Sequence, residues 1–452
     1  MIGEENISAE IRSLIIGYKN QFGKTGTPIQ VNFRNIVPEL TRGERYTHLI
    51  HSYPAKLICH IPYFFLSTDY YCPFSGKVLD PFCGSGTVLL EALISGRQSY
   101  GADANPIARK ISKVKTTFIS PTILFKELNQ IIYEAKNTNI NPIVFTPENL
   151  FWYPKDTIAS LSQIVTAIQN IKDENIKNFF EICVSSILKK VSFADPRISV
   201  PVRVNADKFA QGSKLYNNAV SHINAVANID IFDSFHNMCI SNIERIGTLA
   251  NLKYFDTHIC SDDARRLTAN IETDTLLEDE SIDLIITSPP YAGAQKYIRA
   301  SSLNLRWLNI ADKNGIKELK AKNIGREDYK KSEISVPKTG IKTADTLLKT
   351  LSLEGNQERA HIVANYLLEM EHAIDECIRV LKRGGYFIMV IGNNTVCGHE
   401  FDTQAYLTEY MIAQGLSLEY KLIDDIKSYG LMTKRNKTAS RISCEWILVL
   451  KK

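Results

Sequence analysis

The feature that most constrains this chain is a short apolar segment, Lys77–Asp80, that runs into Pro81-Phe82-Cys83-Gly84-Ser85-Gly86 and then into the apolar run from Thr87 to Leu93. The pattern predicts a strand, a glycine turn and a helix ending near Gly96. A second strand is predicted at Ser99–Asp103, and Asn105-Pro106 opens a second helix. Strand, helix, strand, helix is the start of a parallel α/β sheet. Glycines at the turn let a ligand approach the backbone, and the helix start offers free N–H groups. Asp103 follows about twenty residues later at a strand end, where a carboxylate can accept both hydroxyls of a ribose.

Three ligands compete for such a turn. A P-loop requires a lysine after its second glycine, and Gly86 is followed by Thr87. Gly17 to Thr25 ends in Gly-Lys-Thr, but its spacing is one residue too long and it follows a helix. A nicotinamide fingerprint requires a third glycine where Leu89 stands. An S-adenosylmethionine site remains, as does a plain turn without a ligand.

The rest of the chain extends the sheet in pieces. Residues 1–50 read as a leading helix, Ile7 to about Gln21, and a polar loop; Pro54 to Leu66 reads as helical. From 120 to 255 the apolar spacing is helical, which marks an insertion; Ser192–Arg203 within it reads as extended. Strands resume at His258–Ser261 and Ile282–Thr287, followed by a helix at Tyr297–Leu308 and a polar basic insertion at 310–350. A helical stretch, Thr346 to Leu381, ends at Gly384-Gly385. Then come a strand at Tyr386–Gly392, a helix at Thr403–Ala413 and strands at Leu416–Ile423 and Ile442–Leu450. The expected organisation is a core in two halves, 1–119 and 256–452, around the helical block.

Two further motifs sit at predicted strand ends. Asp262-Asp263 places a carboxylate where it can accept from an adenine amino group or cap a helix. Ile285-Ile286-Thr287-Ser288-Pro289-Pro290-Tyr291 ends a strand with two prolines, which stop the ladder and stiffen the loop. Ser288 and the Pro289 carbonyl offer two acceptors for one amino group, and Tyr291 offers a stacking face. That set suits a nucleobase turned out of a duplex. A rigid turn with a packed tyrosine is the plainer alternative.

Together, DPFCGSGT, the acid in YGADANP, SDDARRL and TSPPY resemble the amino-group DNA methyltransferases that use S-adenosylmethionine. HSYPAK (51–56), AGAQKYIRASSL (292–303) and LKRGGYFIMVIGN (381–393) resemble flanking segments of that family. The resemblance implies a Rossmann-like sheet of seven strands with a terminal antiparallel hairpin. It implies cofactor contacts from Asp80, Phe82, Gly84, Gly86, Thr87, Asp103 and Asp263, with Tyr53 and Lys56 near the methionine end. It implies catalysis by Ser288, Pro289, Pro290 and Tyr291. Serine before Pro-Pro-Tyr is more typical of enzymes acting on cytosine N4, and Asp or Asn of those acting on adenine N6. Cytosine-N4 transfer is therefore preferred, adenine N6 is the alternative, and an RNA methyltransferase stays open. A cytosine-C5 enzyme needs an attacking thiolate, and no Pro-Cys-Gln occurs.

Composition narrows the partners. A formal charge of +4 excludes a strongly basic, histone-like binder. Segment 313–349 nevertheless carries ten Lys/Arg against five Asp/Glu, and 427–441 carries five and none. Arg197, Arg203, Lys296, Arg299, Lys434 and Arg435 are the candidate contacts to double-stranded DNA. Either insertion can supply the recognition lobe. Nine cysteines without C-x-x-C spacing, and histidines without metal spacing, predict reduced thiols and no metal. An acidic N-terminus and the lack of a long apolar run predict a cytoplasmic protein, and the resemblance implies a bacterial or archaeal cell and a possible cognate endonuclease.

Overall fold

In the computed structural model the described residues are 2–38, 40, 45–54, 56–137, 145–252, 256–292, 297–425 and 444–452. The strands are β1 (Ile29–Val31), β2 (Lys77–Asp80), β3 (Gln98–Ala102), β4 (Thr257–Ser261), β5 (Ile282–Thr287) and β6 (Leu381–Ile391). They continue with β7 (Asn394–Val396), β8 (His399–Phe401), β9 (Ser417–Asp425) and β10 (Cys444–Lys451). Eight form one sheet in the order β1-β9-β10-β6-β5-β2-β3-β4, while β7 and β8 make a separate hairpin. Strands β4, β3, β2, β5 and β6 are parallel; β10 is antiparallel to both β6 and β9.

This is the Rossmann-like sheet with a terminal antiparallel hairpin that the resemblance implies, plus one strand. The eighth, β1, pairs in parallel with the outer edge of β9. Ile29 and Val31 point inward and Gln30 outward. Three residues are too few to establish a period of two, which is why the sequence reads there as polar loop.

Central strands are buried on both faces, so β5 and the second half of β6 read as continuous apolar runs. The helical stretch before β6 is two helices, Lys342–Leu353 and Gln357–Val380, parted at Gly355 with φ 82°. The glycine pair after them lies inside β6 and does not end a helix. Ile282 pairs with Leu381 and Leu284 with Tyr386, so β6 bulges between. A Cβ on Gly385 would lie 2.9 Å from the Asp283 carbonyl, so only glycine fits there.

Between β3 and β4 run the helices Pro121–Asn137, Lys155–Gln169, Glu174–Leu188, Lys214–Ala227 and Ile231–Gly247. Asp173 caps one of them, accepting from the amides of Asn175 (2.9 Å) and Ile176 (3.0 Å). The buried faces of four (Leu128, Leu161, Phe179, Phe235 and their neighbours) share one core with Ile107, Ile111 and Val114 of the helix Pro106–Lys115. The block is thus seated on the helix that follows β3. From β2 the chain winds outward through β3 and β4, and β5 returns to β2's other side. The crevice opens at that reversal, at the strands' C-terminal ends.

Candidate active site

One wall of the crevice is built by backbone. After β2, Phe82 N–H donates to the Asp80 carboxylate (3.1 Å) and Gly86 N–H to the Cys83 carbonyl (2.7 Å). Gly84 and Gly86 hold φ of 50° and 72°. A side chain on Gly84 would meet the Tyr53 ring at 3.5 Å; one on Gly86 would meet Ser112 of the next helix at 2.8 Å. Gly84 thus opens the wall, while Gly86 permits helix packing behind it. The Asp103 carboxylate accepts from Gly84 N–H (2.9 Å) and Asn105 N–H (2.8 Å). Burial pushes its pKa up, and those two amides pull it back.

The opposite wall comes from distant segments. A recess brings together Tyr53, Phe82, Gly84, Asp103, Asp263, Ser288 and Pro290. Tyr297, Lys322, Asn323 and Ile324 also line it. The last three come from a stretch whose sequence reads only as basic loop. Asp263 and Arg265 are paired through both carboxylate oxygens at 2.8–2.9 Å. Arg265 also donates to the Lys322 carbonyl (3.0 Å) and meets Glu369 (3.4 Å). Glu369 in turn accepts from Gly325 N–H (3.1 Å). Arg265 is therefore a strut fastening the 322–325 loop across the recess. Among the described residues the Ser288 hydroxyl on this wall has no hydrogen-bond partner.

A family model described as DNA methylase matches residues 282–452, from β5 and its Ser-Pro-Pro-Tyr loop to the end. The type II methyltransferase M.MvaI of Kocuria varians is 25% identical over 441 residues, covering 91% of this chain and 92% of that protein. M.AvaI of Anabaena variabilis, also a type II methyltransferase, is 25% identical over 384 residues, 77% of this chain and 74% of that one. These matches support an amino-group DNA methyltransferase family for this chain. An rRNA methyltransferase structure from Streptomyces viridochromogenes aligns over 89% of both chains at 11% identity and a TM-score of 0.27, too distant to carry an argument.

The methyltransferase takes its methyl group from S-adenosylmethionine. The recess fits such a molecule: it offers two carboxylates for hydroxyl and amino donors, the Phe82 and Tyr53 rings for a flat heterocycle, and open backbone at Gly84. Several residues expected at the cofactor or in catalysis are not among those lining the recess. Asp80 is 3% exposed and accepts from the Thr287 hydroxyl (2.6 Å), tying the end of β2 to the end of β5; burial pushes its pKa up to about 7. Thr87 is buried at the helix start. Lys56 turns away and donates to the His48 carbonyl (2.7 Å). Pro289 is buried, and Tyr291 packs against the sheet core with its hydroxyl donating to Glu445 (3.2 Å) on β10. Glu445 had no signal in the sequence, because only the sheet order brings β10 near the loop.

The expected DNA contacts scatter. Arg197 is exposed but paired with Asp195 at 2.7 and 2.9 Å. Arg203 lies over the rings of Phe151 (4.8 Å) and Phe193 (5.2 Å). Arg299 is exposed beside the 313–322 helix. Lys296, Lys434 and Arg435 lie outside the described residues. Spacing in the sequence did not anticipate the buried trio His48, Cys59 and Glu91, whose ligand atoms lie within 4.8 Å of one another. Glu91 is already paired with Arg45 and with His48 (2.7 Å). Lys56 adds positive charge nearby, which opposes a cation there.

Proposed function

We propose that this DNA methyltransferase acts on the exocyclic N4 of a cytosine turned out of duplex DNA at a specific site. The observation that carries this reading is the Ser288 hydroxyl, which has no hydrogen-bond partner among the described residues. It lines the same recess as Asp103 and Gly84 and belongs to a Ser-Pro-Pro-Tyr loop, whose serine is the form associated with cytosine N4.

When bound, S-adenosylmethionine supplies a methyl group activated by a sulfonium. Asp103 would hold the ribose hydroxyls, Asp263 the adenine amino group, and Phe82 the ring face. The open backbone at Gly84 would lie against the cofactor, with Tyr53 closing over it. Ser288 and the Pro289 carbonyl would accept hydrogen bonds from the target amine. A cytosine amine is a poor nucleophile because its lone pair is delocalised into the ring. Two acceptors favour a tetrahedral nitrogen and stabilise the positive charge that develops there. Pro290 stiffens the loop, and Tyr291, tethered by Glu445, supplies the stacking face. Alignment of the two reacting atoms is the main catalytic task.

The relatives are named type II methyltransferases, and we extend that setting to this chain as partner of a cognate restriction endonuclease in a bacterial cytoplasm. No described helix is long and apolar enough to cross a membrane. The helical block at 120–255 is assigned to target recognition. Ser288→Ala should lower single-turnover methylation about a hundredfold with cofactor affinity unchanged. Tyr291→Ala should raise the KM for DNA. Wild-type behaviour of both variants would overturn the assignment.

A further inference from the structure

A second recess adjoins the first and shares Tyr297 and Asn323 with it. Its lining includes Arg299, Lys317, Lys320 and Arg326, from two segments that flank the shared residues. Among the described residues none of these four cations is in an ion pair. Two acids also line it, Glu327 and Asp328, but Glu327 is answered from outside by Arg359 (3.1 Å). The recess therefore keeps an excess of positive charge. Arg326 is held in place, its guanidinium 4.3 Å from the centre of the Tyr329 ring, with a buried Nε that has no partner. The helix Lys313–Lys322 directs Lys317 and Lys320 to one face, since residues three apart are neighbours on a helix. Four cations without an ion-pair partner among the described residues, set around a concave surface, match a phosphate diester in charge and in hydrogen-bond donors.

We infer that this recess binds a backbone phosphate of the DNA strand that carries the target base, next to the opening through which the base enters. The inference rests on the functional reading above and adds the anchor that sets the strand's position. A strand held at Lys317, Lys320, Arg299 and Arg326 reaches the shared wall at Tyr297 and Asn323, and beyond that wall lies Ser288. The contact is to backbone, so it carries affinity and placement rather than sequence choice.

The test uses the full chain and the double variant Lys317→Gln/Lys320→Gln. Binding of a fluorescent random-sequence DNA duplex is measured by anisotropy across a salt series, and S-adenosylmethionine binding by calorimetry. Loss of two phosphate contacts should weaken duplex binding about tenfold and reduce the slope of log affinity against log salt by about 2. Cofactor affinity should stay at the wild-type value, which also shows that the variant is folded. Unchanged duplex affinity and slope would overturn the inference. So would a loss confined to duplex RNA in a parallel series. Failure of the functional reading would show separately, as wild-type protein that places no methyl group on DNA.

Discussion

The two walls of the candidate active-site crevice are made in opposite ways. The β2–β3 wall is local: Asp80 to Asn105 supplies it, and its key hydrogen bonds come from backbone amides held by the glycine turn. The facing wall is assembled from the β5 loop, the 322–325 loop and Arg265, whose shortest separation in sequence is about twenty residues and which side chains hold together. A wall of backbone amides is preorganised with the fold. A wall of side-chain struts depends on each strut, so it is the wall where single substitutions should act on the recess shape without unfolding the sheet.

Three changes would sharpen or break that contrast. The largest effect is expected on the local wall. Asp103→Ala leaves Gly84 N–H and Asn105 N–H without their acceptor and removes the carboxylate, and should weaken S-adenosylmethionine binding about a hundredfold by calorimetry. Unchanged affinity would remove Asp103 from the site.

The next tests the seam between the walls. Burial raises Asp80 from an ordinary 3.8 to about 7, so the folded chain keeps a proton that the unfolded chain has released between those values. The fold binds more protons across that window, and this group's contribution to stability falls as pH rises through it. Asp80→Asn keeps an oxygen for Phe82 N–H and Thr287 but cannot ionise. Relative to wild type it should therefore gain roughly 2 kcal/mol on going from pH 5 to pH 8, read from denaturant unfolding at both values. A constant difference would mean that Asp80 is ionised in the fold at both.

The smallest effect is expected on the strutted wall. Arg265→Ala frees the Lys322 carbonyl and Glu369 while leaving the sheet intact. It should raise the KM for S-adenosylmethionine about fivefold with little change in unfolding midpoint. An unfolding midpoint lowered as much as the binding energy would show that the two walls are not separately supported.

The same contrast decides how much the sequence disclosed. The glycine turn, Asp103, Asp263 and the Ser-Pro-Pro-Tyr loop were legible because each sits at a strand end and its spacing reports a local geometry. The parallel strands and the final hairpin were legible for the same reason, as runs of buried residues. Strand β1 was too short to show a period, and β6 hid its start because Gly384-Gly385 looks like a helix stop when it is a bulge. Lys322, Asn323, Ile324 and Glu445 gave no signal, since only tertiary folding brings them to the site. Asp80 and Gly86 belong to the motif but do not line the recess; one joins β2 to β5 and the other admits Ser112.

The central claim is that the Ser288 loop delivers an amino group of DNA to the methyl donor held at Asp103. Transfer of labelled methyl from S-adenosylmethionine to duplex DNA, followed by nucleoside analysis, tests it most directly. The account predicts N4-methylcytosine, lost in Ser288→Ala. Label on adenine N6 would contradict the choice of base, and label found only on RNA would contradict the account itself.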